Sequence, residues 1–350
     1  MNIVNLSPFP AEIISSTDKH GEDWYLVVVK GTFRVRPGET PAAAEEQVPF
    51  FYADQHYGDP ATTSIKYESE FALLKPRADV VVVGSAHAPR GRPARRFSVE
   101  VRVGTVHKRL DIVGDRSWRH GFGLRSRRTS PAAFTSLPIV YERAFGGAEV
   151  EKAKRPLFDR RNPVGTGLIR RWQRRGSLPN LSYPGERLRR PGQRLRPASL
   201  GFIGRAWAPR AGYAGTYDDA WRKDRFPLLP EDFEDRYYQG APEDQGCDYL
   251  VGGERVELVN LSPEGRISFQ LPDLGLPLRF RFPGRTEEVP AVADTLILEP
   301  DEARFQVVWR ARRPVTGKLL DLGEVWVGRP TRGRLRALEA RKRYVGGNPR

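Results

Sequence analysis

The 350-residue chain can bury a sizeable hydrophobic core as two domains or one elaborate one, and with 39% hydrophobic and 29% charged residues it does not read as a disordered chain. Its single cysteine, Cys247, excludes an intramolecular disulfide and a cysteine-based zinc site, and no apolar run reaches the roughly eighteen residues that a membrane helix needs. The formal net charge of +15 is concentrated: residues 152–210 hold sixteen Lys or Arg against two acids, Asp159 and Glu186, so one segment carries almost the whole imbalance.

The first residues lack the basic and apolar regions of a secretory signal, so a cytoplasmic protein is expected. Residues 24–35 (WYLVVVKGTFRV) read as a long strand, buried on both faces around Val27, Val28 and Val29. A second buried strand is expected at 79–84 (DVVVVG). Residues 97–103 alternate, placing Phe97, Val99, Val101 and Val103 on one face. Gly104-Thr105 follows, and a further strand begins at Val106; glycine at the first central position predicts a type II′ hairpin turn. Further along, 249–251 and 255–259 flank Gly252-Gly253 and predict a second hairpin. Strands are also expected at 266–271, 278–282, 295–298, 304–311 and 322–327. Helix is scarce: Pro230 opens one candidate turn, and 332–343 reads as a basic terminal helix. Val4-Asn-Leu-Ser-Pro recurs as Val259-Asn-Leu-Ser-Pro, without a wider repeat around it.

The pattern predicts an all-β protein, a mainly antiparallel β-sandwich or a set of distorted barrel-like sheets, with a long irregular basic insert. Three regions are expected: an N-terminal β region over 1–145, an insert over 146–248, and a C-terminal β region with a basic tail over 249–350. The insert is rich in Gly, Pro and Arg, yet Trp172, Trp207, Tyr213, Tyr217, Trp221, Tyr237 and Tyr238 argue for an ordered segment packed on the β scaffold.

Catalytic signatures are missing. There is no G-x-S-x-G, H-E-x-x-H, Walker loop or G-x-G-x-x-G, so neither an enzyme nor a cofactor is expected. Asp54, His56 and Asp59 form the one cluster with metal-ligand chemistry; turn-capping by the two aspartates is the competing reading, and no metal is assigned. Lys30, Lys75, Asp79, Asp115 and Arg116 fall where strand pattern predicts burial, so pairing within the fold is expected of them. The basic segment is either a solvated loop or a docking face for an acidic partner or nucleic acid, since arginine suits bidentate recognition of carboxylates and phosphates.

An ordered series of motifs completes the reading. These are Asn5-Leu-Ser-Pro-Phe, Val29-Lys-Gly-Thr-Phe33, Ala53-Asp54, Leu74-Lys-Pro-x-x-Asp-Val80, Gly84-x-Ala86-x-Ala-Pro89, Val113-Gly-Asp-Arg-x-Trp118 and Pro138-Ile-Val-Tyr-Glu-Arg-Ala-Phe-Gly-Gly147. Then come Asn162-Pro-Val-Gly-x-Gly167, Leu178-Pro-Asn180, Pro209-Arg210, Gly215-Thr-Tyr-Asp-x-x-Trp221, Leu229-Pro-x-Asp-Phe233 and Ala241-Pro-x-Asp-Gln245. With Gln239 as a departure where asparagine is expected, the chain resembles the bacterial family called domain of unknown function 2169, linked to type VI secretion.

The resemblance implies a cytoplasmic, non-enzymatic adaptor or chaperone. Its partners would be a secreted effector protein and a spike-tip protein of PAAR or VgrG type. The family supplies no established binding residues. On enrichment of Arg and Trp at interface hot spots, the contacts are expected at Arg170, Arg171, Trp172, Arg174, Arg175, Trp207 and Arg210. The motif residues Lys30, Asp54, Lys75, Asp79, Asp115, Arg116, Trp118, Gly146, Gly147 and Asn162 are expected to be structural. The alternatives are a nucleic-acid-binding protein using 152–210 and a metal-dependent hydrolase around Asp54 and His56.

Overall fold

The computed structural model describes the chain except residues 37, 121–125, 149–155, 173–174, 330–332, 334–335 and 338–350. Strand makes up 40% of it and helix 10%, so the mainly β expectation holds. The terminal helix expected over 332–343 lies almost wholly outside the described residues.

The principal strands are β1 (Asn2–Asn5), β2 (Ala11–Thr17), β3 (Asp23–Arg34), β4 (Ala78–Val82), β5 (Arg96–Val103), β6 (Val106–Val113), β7 (Ser117–His120) and β8 (Ser126–Arg128). After them come β9 (Gly176–Ser177), β10 (Leu181–Ser182), β11 (Arg255–Val259), β12 (Arg266–Gln270), β13 (Leu276–Phe282), β14 (Arg285–Glu299), β15 (Arg304–Pro314) and β16 (Glu324–Val327). The large sheet runs β1-β16-β13-β14-β15-β3-β2, with β4 joined parallel to β14. The sheets include a curled half-barrel, and Phe9, in the link between β1 and β2, stacks on Trp309 at 5.3 Å and meets Phe33 at 5.2 Å. A second sheet has the order β10-β6-β5-β11-β12.

The two sheets share one core. Val99, Val101, Val103, Leu110 and Ile112 from the smaller sheet pack in the same cluster as Val27, Val29, Val80, Val82, Leu296 and Val307 from the larger, the arrangement of a β-sandwich. Alternation sends Leu26 and Val28 to the opposite face of β3, where they meet Phe50 and Val308. Val81 and Val83 likewise meet Ile65, Phe202 and Ala241. Long β-branched runs therefore arise because both faces of the central strands are covered. Strands from 1–145 and from 249–350 are joined in both sheets, as where β1 pairs β16 and β5 pairs β11.

The first hairpin forms as expected. Val103 opposes Val106, and Gly104 has φ +52° while Thr105 does not enter positive φ, as a type II′ turn requires. The second does not form. Leu250 bridges Ala293 of the large sheet, whereas β11 pairs β12 and β5, so Gly252-Gly253 carries the chain from one sheet to the other. The turn expected at Pro230 forms, with Phe233 N donating to Pro230 O at 3.1 Å. An α-helix not expected from the sequence spans Asp219–Asp224, its first turn capped by the Asp218 carboxylate, which accepts from Trp221 N at 2.8 Å. The repeated Asn-Leu-Ser-Pro ends a strand both times, but Asn260 has φ +58° and bonds Ser98 O, whereas Asn5 closes a local turn onto Phe9 O. The two copies share a strand-ending role and no common geometry.

The insert is fastened by polar side chains. Gln245 Nε2 donates to Val80 O at 2.7 Å and Leu200 O at 2.9 Å. Lys108 of β6 donates to Asp244 and to Gln245 Oε1, both at 2.8 Å, and Tyr183 OH donates to the other Asp244 oxygen at 2.9 Å. Among the described residues no helix is long and apolar enough to cross a membrane.

Candidate functional site

The motif residues sort first by what their charges meet. Lys30 Nζ lies 2.6 Å from the Glu70 carboxylate and 2.8 Å from Pro49 O, above the Phe51 ring. Burial lowers the Lys30 pKa and raises that of Glu70, against their mutual attraction. Lys75 bridges Asp79 at 2.7 Å and Thr295 Oγ1 at 3.0 Å, and Asp79 also accepts Gly240 N. Asn162 knits its loop together: Nδ2 donates to Tyr141 O and Phe145 O, its carbonyl accepts Gly147 N at 2.8 Å, and Gly146 lies flat against it. Trp118 is buried with Phe145, Leu178 and Leu188. Each of these side chains meets its neighbours within the fold.

Asp54 is accounted for without a metal. Arg205 donates two parallel bonds to its carboxylate, at 2.7 and 2.9 Å, and Ser69 N adds a third at 3.0 Å. Burial pushes that carboxyl up, but these bonds together hold it below the ordinary value. His56 Nδ1 faces Thr63 O at 2.9 Å, and Asp59 caps a turn by accepting Ala61 N. Among the described residues no group of three or more potential metal ligands is found, and Asp54, His56 and Asp59 each meet a partner within the protein.

Two expected contact residues are corrected. Trp207 is 8% exposed and packs edge-on against Tyr141 at 5.3 Å. Arg210 is 2% exposed; it bridges the buried Glu68 and donates to Tyr237 O and Ile203 O, each at 2.8 Å. Neither side chain presents a surface. Asp115 is exposed where burial was expected, though it still finds partners, accepting Asn180 Nδ2 at 2.9 Å and lying 3.4 Å from Arg143. Arg116 is met by a carbonyl instead of a carboxylate: its Nη2 donates to Pro179 O at 3.0 Å, while its buried Nε has no partner.

The other expected contacts fall on one small lobe. Here β7 pairs with β8 and β9 over the core of Trp118, Phe145, Leu178 and Leu188. Trp172 is 73% exposed. Arg171 and Arg175 are exposed beside it, Arg170 is half-buried, and Arg174 lies outside the described residues. Arg171 packs directly against Gly192, which brings exposed Arg189, Arg190 and Arg194 onto the same lobe. The two acids of 152–210 are already engaged, Asp159 with Arg161 at 2.7 Å and Glu186 with Arg196 at 2.8 Å. The face is therefore a field of guanidinium groups around one exposed indole, able to bind anionic partners by paired hydrogen bonds and stacking.

Arg119, Arg127 and Arg128 on β7 and β8 belong to this lobe and were not singled out from the sequence. A signal existed: no acid occurs between Asp115 and Glu142. Residues 20–310 match the family described as "Uncharacterized protein conserved in bacteria (DUF2169)", and the chain belongs to that family. No curated protein and no solved structure matches it.

Proposed function

From membership in that family, we propose that the protein is a cytoplasmic, non-enzymatic adaptor that binds a type VI secretion effector and helps load it onto a spike-tip protein of PAAR or VgrG type. The observation that carries the reading is the lobe around Trp172. Its arginines outnumber the acids near them, and the large aromatic side chain beside them stands in solvent rather than in a core. Exposed tryptophan and arginine are the residues that supply interface energy when a partner desolvates them. Such a field also speeds encounter with acidic surfaces.

The test is capture on the tagged full chain from nuclease-treated native lysate, with mass spectrometry of what is retained. Wild type is expected to hold a toxin-like protein together with a spike-tip protein, and the double reversal Arg171→Glu, Arg175→Glu to reduce both about tenfold or more. Equal recovery by the variant removes the lobe from the interface. The nucleic-acid alternative uses the same face and predicts retained material that disappears with nuclease and with rising salt.

A further inference from the structure

Where the lobe meets the smaller sheet there is a cleft of about 430 Å³. Four of its lining residues are arginines, placed by strand register. Arg96 opens β5 opposite Val113, Arg128 closes β8 opposite Trp118, and Arg116 lies in the link between those two pairings. Arg187 follows β10 and completes the set. Arg116 is half-buried at the floor, and the other three are exposed at the rim.

We propose that this cleft is a carboxylate-binding site that takes an acidic peptide segment, with Arg116 as its floor and Arg96, Arg128 and Arg187 as its clamp. Elsewhere in the protein buried guanidinium groups meet carboxylates, as Arg205 meets Asp54, Arg210 meets Glu68 and Arg310 meets Asp294. Here, among the described residues, none of the four does. Arg116 and Arg128 are steered by single carbonyls, Pro179 O and Leu188 O, both at 3.0 Å. A carbonyl orients a guanidinium without neutralising it, and the buried Arg116 Nε is left with nothing to donate to. Burial, joined by the charges of Arg128, Arg96 and Arg187, pushes the Arg116 guanidinium down to about 10. Two acids also line the cleft: Glu186 Oε1 holds Arg196 while its buried Oε2 has no partner, and Asp111 accepts Ser98 Oγ and Gly185 N. Four guanidinium groups thus outnumber two carboxylates, and none of the four is paired with either.

The donor set, guanidinium forks with the hydroxyls of Ser98, Thr129 and Ser182 on strand and turn walls, can pair bidentately with carboxylate or phosphate. The choice of a carboxylate-bearing peptide therefore rests on the size and position of the cleft, and competition with phosphate is the arm of the test that decides it. The volume exceeds that of a single small anion. Arg187 leads within three residues to Arg189 and Arg190 of the exposed face, so a chain lying across that face can reach the cleft. The identification of the occupant as a protein segment rests on the adaptor reading; the charge chemistry of the cleft does not.

The test uses the full chain and a fluorescein-labelled octapeptide of alternating glutamate and glycine, read by fluorescence anisotropy at low salt. Arg96→Glu and Arg187→Glu, both at exposed positions, are each expected to weaken binding at least tenfold, while Arg222→Glu on the exposed helix shifts it less than twofold. Arg116→Gln is expected to abolish binding if its thermal unfolding matches wild type; if it does not fold, the two rim variants decide the matter. Competition with inorganic phosphate and oligodeoxythymidine should leave the peptide bound at equal charge concentration. Rim variants that bind like wild type overturn the proposal, and so does stronger competition by phosphate or the oligonucleotide. Loss of peptide binding alongside intact partner capture removes the cleft but leaves the adaptor; the reverse result keeps the cleft and removes the adaptor.

Discussion

Replacing Arg210 separates a buried structural arginine from an interface contact. Arg210→Met leaves the Glu68 carboxylate, 5% exposed, without its cation. It also leaves Tyr237 O and Ile203 O without their donor. Glu68 has no escape to solvent, because Gly240 lies so close that a Cβ there would sit 2.4 Å from Glu68 Oε2. Breaking one side of a buried pair costs about 3–5 kcal/mol. The carbonyl losses overlap with that figure rather than adding in full, since one guanidinium serves all three acceptors. Against a total of about 5–15 kcal/mol for a folded domain, the loss is a third or more. Urea unfolding followed by tryptophan fluorescence measures it, with Trp207 close by as reporter. The companion Arg210→Met, Glu68→Leu removes the stranded charge and is expected to recover most of the loss, giving a coupling of at least about 2 kcal/mol. A loss under about 1 kcal/mol, or a double variant as unstable as the sum of the two singles, would refute the buried-pair account.

Two further outcomes follow from the same reasoning. Burial pushes the Lys108 ammonium down to about 8, Asp244 opposing, whereas an unfolded lysine titrates near 10.4. The unfolded chain thus binds the extra proton between those values, and stability should rise with pH from about 8 to about 10, by at most about 1.4 kcal/mol per pH unit. Lys108→Met should flatten that rise in urea titrations across the window, and an unchanged slope assigns it elsewhere. Gly146→Ala would place a Cβ 2.1 Å from Asn162 O, so it should cost at least about 2 kcal/mol in the same assay or prevent folding. Gly253→Ala, with positive φ but open space around it, should cost only about 1–2 kcal/mol of backbone strain. Equal losses for the two would show that Asn162 does not hold its loop against Gly146.

Strands were legible wherever a run had to satisfy one face or both. Val27, Val28 and Val29 announce a strand covered on both sides, and Phe97, Val99, Val101 and Val103 announce one covered on one side, because side-chain direction has period two. Partners were not legible. Gly252-Gly253 looks like a hairpin turn when only its neighbours are considered, yet the flanking segments find partners in two different sheets. The same holds for the site. Trp207 and Arg210 have the chemistry of interface residues, and the sequence around them says nothing of Tyr141 or of Glu68, 142 positions away. A paired arginine and an unpaired one are the same letter until the fold brings the acids into place.

Composition raises a simpler account of the basic segment, in which arginine is merely the common cation of this chain. The distribution of partners argues against it. Outside the lobe many arginines hold acids, as Arg281 holds Glu324, Arg313 holds Glu287, Arg304 holds Glu299, and Arg255 and Arg266 share Glu257, although Arg77 and Arg95 donate to carbonyls. A merely compositional excess would recur there, since those regions draw on the same residue pool. Instead the acids are withheld from 116–141 and nearly so from 152–210, two neighbouring stretches whose strands β7, β8 and β9 form one sheet. Concentrated like charge destabilises the compact state by self-repulsion and attracts anions in the same measure. A scaffold that neutralises its buried and half-buried arginines at Asp54, Glu68, Glu299 and Asp294, but leaves the half-buried Arg116 oriented only by a carbonyl at the edge of that lobe, distributes its acids by position, and the position left uncompensated is the one open to a partner.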